Sequence, residues 1–282
     1  MKILVTGVSG QLGFDVCRIL REQNIEHLPS SRETFSLTDF KKAREAVENY
    51  RPDAIIHAAA YTAVDKAESE SELCFKTNAE ATKNLAEIAK DIDAKFVYIS
   101  TDYVFPGTGE NFYETSDAKN PLNVYGKSKL KGEEAVINTL EKYFIVRISW
   151  VFGKNGKNFV KTMLNLAETH GELKVVADQI GSPTYTYDLA KLLVEMVKTE
   201  KYGVYHATNE GVCSWAEFAA EIFKLANKKT KVTGISTEEY PTPAIRPKNS
   251  RLSKKSLDEG GFSRLPSWQD ALKRYLEELQ NV

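Results

Sequence analysis

Over the first 150 residues, short β-branched and apolar runs alternate with longer stretches whose apolar positions recur every three or four residues. Ile3-Leu4-Val5 reads as a buried strand, followed by a helical pattern from about Gln11 to Gln23. Ile25 to Leu28 is a weaker second strand. Asp39 to Tyr50 is amphipathic, with Ser36 and Asp39 spaced like a capping box at its start. Asp53 to His57, introduced by Pro52, gives a third strand, and a long helix is predicted from about Glu70 to Lys90. Phe96-Val97-Tyr98-Ile99-Ser100 is the clearest strand of the chain. A helix around Asn123 to Leu140 then precedes a strand at Phe144 to Ile148. Strands that alternate with helices predict right-handed crossovers and a doubly wound α/β fold, its parallel sheet covered on both faces.

Beyond Phe152 the pattern changes. Helices near Asn158–Thr169 and Thr186–Lys198 mix with short strands at Leu173–Val176 and Val204–Ala207. Ser214 and Glu217 give a second capping-box spacing, and a helix is predicted from Ser267 to Leu279. The proline-rich run from Pro241 to Pro247 cannot be regular helix and reads as an extended loop. The last third thus reads as a smaller α+β lobe interleaved with the sheet domain, which is expected to receive strands from about 173–207.

Composition narrows the class of partner. The chain has 282 residues, 42% hydrophobic and 27% charged, with a net charge of −1. No global basic field favours nucleic acid or an anionic membrane. The first residues meet glycine too soon for a signal peptide, and no run approaches the ~18 apolar residues of a membrane span. Cys17, Cys74 and Cys213 lie far apart, which points to a reducing compartment rather than a disulfide framework. The four histidines are equally dispersed, and no metal site is expected. The expected location is the cytoplasm.

Gly7, Gly10 and Gly13 stand at i, i+3 and i+6, where the first strand gives way to the first helix. Three glycines alone are weak evidence, since any tight turn needs them. Between strand and helix they let the backbone approach a pyrophosphate, which Gln11 and Leu12 at the helix start would also meet. A dinucleotide is therefore expected here. The second strand ends in Leu28-Pro29-Ser30-Ser31-Arg32, with no carboxylate at its tip to hold a ribose 2′-hydroxyl. Ser30 and Arg32 suit a 2′-phosphate better, so NADP(H) is favoured over NAD(H), although the same residues could be a solvated surface loop. Ala58-Ala59-Ala60 follows the third strand, where small residues admit a cofactor.

Tyr125 and Lys129 are four apart and share one helix face. An ammonium beside a phenol favours phenolate and would bring its pKa down from ~10 towards the working pH. By itself the pair could be a surface aromatic beside a solvated lysine. Ser100-Thr101-Asp102 ends the fourth strand, and ligands of open parallel sheets bind beyond the carboxyl ends of strands. All these segments meet at that edge.

Together they resemble the extended short-chain dehydrogenase/reductases and, more narrowly, the dTDP-4-dehydrorhamnose reductase family. The stretches that carry the resemblance are Gly7–Gly13, Ala58–Glu68, Ser100–Phe105, Pro121–Lys127, Ser149–Phe152, Asn158-Phe159, Gln179–Thr184 and Pro241–Ala244 with Arg246-Pro247. The resemblance implies an NADPH-dependent reduction of a 4-keto nucleotide-linked sugar. Tyr125 would donate the proton, Lys129 would tune it and hold the nicotinamide ribose, and Thr101, where a serine is usual, would orient the carbonyl. Leu37, Ala58, Ala59, Ala60 and Tyr61 would join the cofactor contacts. Asp102, Phe105 and Trp150 would lie by the sugar or nucleotide, with Asn158 and Arg246 suited to the diphosphate. Ser36 departs from the acidic residue frequent in the family near the adenine.

Two rivals share these features. An epimerase or dehydratase would keep the fold and the Tyr–Lys pair, but dehydratases carry Asp-Glu where this chain has Asp102-Tyr103. A non-catalytic, NADP-binding regulatory subunit would be of another class. A homodimer is possible.

Overall fold

The computed structural model describes residues 1–31 and 33–280. The first half runs β1 (Ile3–Thr6), α1 (Gln11–Glu22), β2 (His27–Ser30), α2 (Phe40–Tyr50), β3 (Ala54–His57), α3 (Val64–Ala67), α4 (Ser71–Phe75), α5 (Ala81–Asp91), β4 (Lys95–Thr101), α6 (Val124–Thr139) and β5 (Tyr143–Ile148). The second half is more finely divided: β6 (Val151–Phe152), α7 (Phe159–Ala167), β7 (Glu172–Val176), β8 (Ile180–Gly181), β9 (Thr184–Tyr185), α8 (Thr186–Met196) and β10 (Gly203–His206). After these come β11 (Asn209–Glu210), β12 (Cys213–Ser214), α9 (Trp215–Leu225), β13 (Lys231–Ile235), β14 (Asn249–Ser250), α10 (Lys255–Glu259), β15 (Leu265–Ser267) and α11 (Trp268–Gln280).

Six strands form a parallel sheet in the order β10-β5-β4-β3-β1-β2. The nearly unbroken apolar runs of the sequence have a direct cause: alternate side chains point to opposite faces, and both faces are covered. Ile3, Val5, Ile56, Val97, Ile99 and Val146 pack on one side with Leu12, Val16, Leu189 and Leu193 of α1 and α8. Leu4, Ile55, Phe96, Tyr98 and Ile145 pack on the other, with Ala43, Leu85 and Val136 of α2, α5 and α6. A separate core gathers α7, α9 and α11 around Phe152, Phe218, Trp268 and Tyr275.

Several elements depart from the sequence pattern. The second strand lies at His27–Ser30 instead of Ile25–Leu28, because its register with β1 pairs Ile3 with His27 and Thr6 with Ser30. Ser36 does not cap α2; Asp39 does, accepting from Lys42 N, while the Ser36 hydroxyl pairs with Thr38. The long helix expected from Glu70 is α4, a π-helical turn at Lys76–Glu80, and α5 in succession, with α3 before them. Of the later strands expected to join the main sheet, β10 does so beside β5. β7 does not: its backbone pairs with β13 in a two-stranded sheet. The capping box at Ser214 and Glu217 is present.

Among the described residues, no helix is long and apolar enough to cross a membrane, and no group of three or more His, Cys, Asp or Glu is placed to hold a metal. A cleft of about 380 Å³ opens at the amino ends of β3, β4 and β5, among Arg51, Asp53, Lys95, Lys142 and Tyr202. It contains none of the segments singled out for chemistry, all of which follow the carboxyl ends of strands.

Candidate active site

Gly7 leaves β1 with φ +73, and a Cβ there would stand 2.6 Å from Ala59 N. A Cβ on Gly13 would stand 2.4 Å from Gly7 O. Only glycine permits this approach of α1 to the turn. Gly10 caps α1 without a side-chain acceptor, and the first turn carries no acid. Backbone donors at a helix start with neither side-chain cap nor counter-charge fit a pyrophosphate, so the residues present suit a dinucleotide.

The turn is held from three sides. Ser30 O accepts from Gly7 N at 3.1 Å, which places the end of β2 beside it. Ser30 itself is buried, Leu37 packs half-buried on the sheet core, and Arg32 lies outside the described residues. Thr6 Oγ1 accepts from Ala59 N at 3.2 Å and meets His57 Nδ1 at 2.8 Å, fixing the small-residue stretch after β3. On the third side, Asn155 Nδ2 donates to Ser9 O at 2.8 Å.

Asn158 belongs to this brace. Its Oδ1 accepts from Lys161 N and caps α7, while Nδ2 lies 3.0 Å from Gln11 Oε1, 2.9 Å from Gly153 O and 3.0 Å from Tyr275 Oη. The amide is thus fully engaged within the protein. It ties α1 to α7 and α11.

Asn78 is a residue the sequence reading missed. It sits in the π-helical turn, where the extra residue pushes a side chain out of helical register. Its Oδ1 accepts from Tyr61 N at 2.7 Å, and its Nδ2 donates to Tyr61 O at 3.1 Å and Ser128 Oγ at 2.9 Å. Ser128 in turn donates to Tyr125 O at 2.7 Å. Asn78 therefore links the loop after β3 to the helix bearing the Tyr–Lys pair.

That helix starts at Asn123, whose Oδ1 accepts from Gly126 N at 2.8 Å. Gly126 is required beside the tyrosine, since a Cβ would stand 2.3 Å from Tyr103 O. Tyr125 packs edge-on to Tyr103 with ring centroids 5.6 Å apart. Lys129 is buried, its Nζ 4.0 Å above the centre of the Tyr98 ring. Desolvation pushes its ammonium down to about 7, opposed by the charge of Glu133 one turn later. The expected depression of the phenol does not occur: burial pushes the Tyr125 pKa up, and the hydrogen bond with Thr101 only partly offsets this. Lys129, itself discharged in part by burial, is not among the groups that shift Tyr125, so desolvation dominates the phenol.

Thr101 Oγ1 donates to Asp102 Oδ1 at 2.9 Å and accepts from Tyr103 N at 3.2 Å. Asp102 is almost wholly enclosed, and burial raises it to about 6 although Ser250 and Thr101 both donate to it. Behind the strand end, Glu133 and Arg147 form a buried, two-pronged ion pair, with 2.8 and 2.7 Å bonds.

The remaining expected contacts divide. Trp150 adopts a left-handed backbone, φ +51, and its ring stacks on Trp215 at 3.7 Å and 13°. Gly181 makes room for it, since a Cβ would meet the indole at 2.8 Å. Phe105 is 1% exposed and stacked flat on Tyr113 at 4.4 Å. Arg246 is held by Asp65 through a 2.8 Å bond to Oδ2 and a longer one to Oδ1, which fastens the proline-rich loop to α3. Asn123 Nδ2 adds a 2.8 Å bond to Ile245 O.

A dinucleotide cradle and a buried Tyr–Lys pair on one edge of a doubly wound sheet are the working parts of an extended short-chain dehydrogenase/reductase. The family model described as the RmlD substrate binding domain matches residues 1–281. The spore coat polysaccharide biosynthesis protein SpsK of Bacillus subtilis is 42% identical, over 98% of this chain and 97% of its own. Several solved structures that bear the name dTDP-4-dehydrorhamnose reductase match the chain, two of them at more than 40% identity. The one from Clostridium acetobutylicum is 44% identical with a TM-score of 0.97, covering 99% of this chain and 100% of its own. The one from Bacillus anthracis, in complex with NADP, is 43% identical with a TM-score of 0.96, covering 98% and 99%. The chain belongs to the dTDP-4-dehydrorhamnose reductase family, and it is an oxidoreductase that binds a nicotinamide dinucleotide.

Proposed function

We propose that this protein uses NADPH to reduce the C4 keto group of dTDP-4-dehydro-6-deoxy-L-mannose, giving dTDP-L-rhamnose in the cytoplasm. The observation that carries the reading is the meeting of Thr101, Tyr125 and Lys129 with the glycine turn at one sheet edge. The bound nicotinamide supplies the hydride. Tyr125 donates the proton to the keto oxygen, so that no free alkoxide forms. The upward shift of its phenol keeps that proton in place at neutral pH until it is needed. Lys129 holds the nicotinamide ribose from its seat on Tyr98, and Thr101 orients the carbonyl.

Gly7, Gly10, Gln11, Leu12 and Gly13 cradle the pyrophosphate, with Ala58, Ala59, Ala60 and Tyr61 along the cofactor. The preference for NADPH rests on the end of β2, where Ser30 stands and no carboxylate does. Residues 1–155, joined by α8 and β10, form the NADP-binding unit, and 156–282 otherwise mainly the substrate lobe. Trp150, with Trp215 behind it, offers an aromatic surface for the nucleotide base. Asp102-Tyr103 in place of Asp-Glu disfavours a dehydratase.

The test is NADPH oxidation with the keto sugar generated in situ, with an NADH control and the product identified. Stoichiometric oxidation to dTDP-L-rhamnose supports the assignment. Tight NADPH binding without oxidation would favour the regulatory reading, and turnover without net NADPH consumption would favour an epimerase.

A further inference from the structure

Thr101 has one hydroxyl hydrogen, and it points at Asp102 Oδ1. To orient a substrate carbonyl the hydroxyl must turn its hydrogen away, leaving a nearly enclosed carboxylate with one donor fewer. Such a loss is costly in a dry site unless another donor remains. Backbone amides of Asp102 and Tyr103 also favour the ionised carboxyl, but the one other side-chain donor comes from far along the chain: Ser250 Oγ donates to Asp102 Oδ2 across 148 residues. Ser250 is buried and stands in β14, whose partner is β8, the strand that ends in Gly181 beside Trp150. One short hydrogen bond therefore joins the second lobe to the end of the catalytic strand.

We propose that Ser250 is a positioning residue for the reduction: by holding Asp102 it leaves the Thr101 hydroxyl able to turn to the substrate, and it couples the seating of the second lobe to the geometry at Tyr125. The proposal rests on the reductase reading of the site. The groups facing Asp102 are Tyr103 on the following 3₁₀ turn and Tyr125 on α6, with Arg246 and Asp65 beyond Tyr103. Both phenols are pushed up by burial and keep their protons between pH 5 and 8. Lys129 is the nearby group of α6 that titrates in that range, so the test must separate it from Asp102.

Ser250→Ala, Ser250→Thr, Asp102→Asn and the double variant Ser250→Ala/Asp102→Asn supply the comparison. The Ser250 donor favours the ionised carboxyl, so its removal raises the Asp102 pKa further. Ser250→Ala is expected to lower kcat about tenfold, to leave KM within about twofold, and to move the acidic limb of kcat up by about one pH unit. Ser250→Thr restores both. In thermal unfolding, the deficit of Ser250→Ala grows from pH 5 to pH 8, as Asp102 ionises in the wild type, and becomes independent of pH in the Asp102→Asn background. Lys129 is untouched in every variant and cannot produce that difference.

Unchanged kcat with an unmoved limb would overturn the proposal. So would a stability deficit equal at pH 5 and 8 in both backgrounds, the mark of a merely structural contact. If the wild type does not reduce the keto sugar, the reading of its function fails, and the unfolding cycle still decides whether Ser250 holds the ionised Asp102.

Discussion

Replacing Glu133 with glutamine should be among the most damaging single changes in the molecule. The carboxylate is 2% exposed and the Arg147 guanidinium 1%. Glu133 receives Ser100 Oγ at 2.5 Å, Arg147 Nε at 2.8 Å and the terminal guanidinium nitrogen at 2.7 Å. Glutamine keeps one accepting oxygen and turns an amino group towards either the serine or the guanidinium. It also strips the counter-charge from an arginine that has no route to water. Breaking a buried pair from one side costs about 3–5 kcal/mol, mostly the penalty of the charge left behind. For a chain of 282 residues that corresponds to a Tm lower by roughly 5–8 °C. Denaturant unfolding followed by circular dichroism measures it. Replacing both partners with apolar residues, Glu133→Leu with Arg147→Met, should recover most of the loss, because no charge is then stranded. A cost below about 1 kcal/mol for Glu133→Gln, or a double variant no better than the single, would refute the reasoning. A second readout is kinetic. Glu133 helps keep the Lys129 ammonium charged, so its removal should push Lys129 below about 7 and shift the pH dependence of cofactor affinity.

Other expectations are simpler to state. Tyr125→Phe should lower turnover by two to four orders of magnitude while NADPH binding, followed by fluorescence titration, stays within a few-fold. Gly13→Ala drives a Cβ against Gly7 O and should abolish NADPH binding at concentrations that saturate the wild type. Asp15 is fully buried, has Thr186 as its hydroxyl donor, and is raised from 3.8 to about 6 by desolvation. The fold thus favours its protonated form, and wild-type stability falls as pH rises from about 4 to 6. Asp15→Asn removes that dependence and should be more stable by about 2–3 kcal/mol at pH 7, with the difference gone below pH 4. Matched unfolding curves at pH 4 and 7 would show it.

The parts of the site that were legible in the sequence are those that local chemistry fixes. Gly7, Gly10 and Gly13 are dictated by backbone clearance at a single turn, and Tyr125 and Lys129 by the pitch of a single helix. The strands of the main sheet were visible because burial on both faces leaves apolar runs. Residues whose role depends on a distant partner were not legible. Phe105 gives no hint in sequence that Tyr113 covers its ring. Asn158 reads as a polar residue near a ligand, yet three elements consume its amide. Leu173–Val176 looks like any other strand, and only the arrival of Lys231–Ile235 decides that it stays out of the main sheet. Asn78 is invisible for a different reason: a π-helical turn has no residue signature, so nothing marks where the chain leaves the α-helical register. The four-residue spacing of Tyr125 and Lys129 carries no information on burial, and burial is what sets both of their pKa values.

The brace at Asn158 bears on how the protein is made. Gln11 is translated 147 residues before Asn158, and Tyr275 follows 117 residues after it. A nascent chain can therefore complete its first turns and most of its sheet while the Asn158 brace between α1 and α11 is still missing. A ribosome-stalled fragment that ends before α11 is therefore expected to make the sheet but to bind the dinucleotide more weakly than the full chain, since it lacks the Tyr275 arm of the brace.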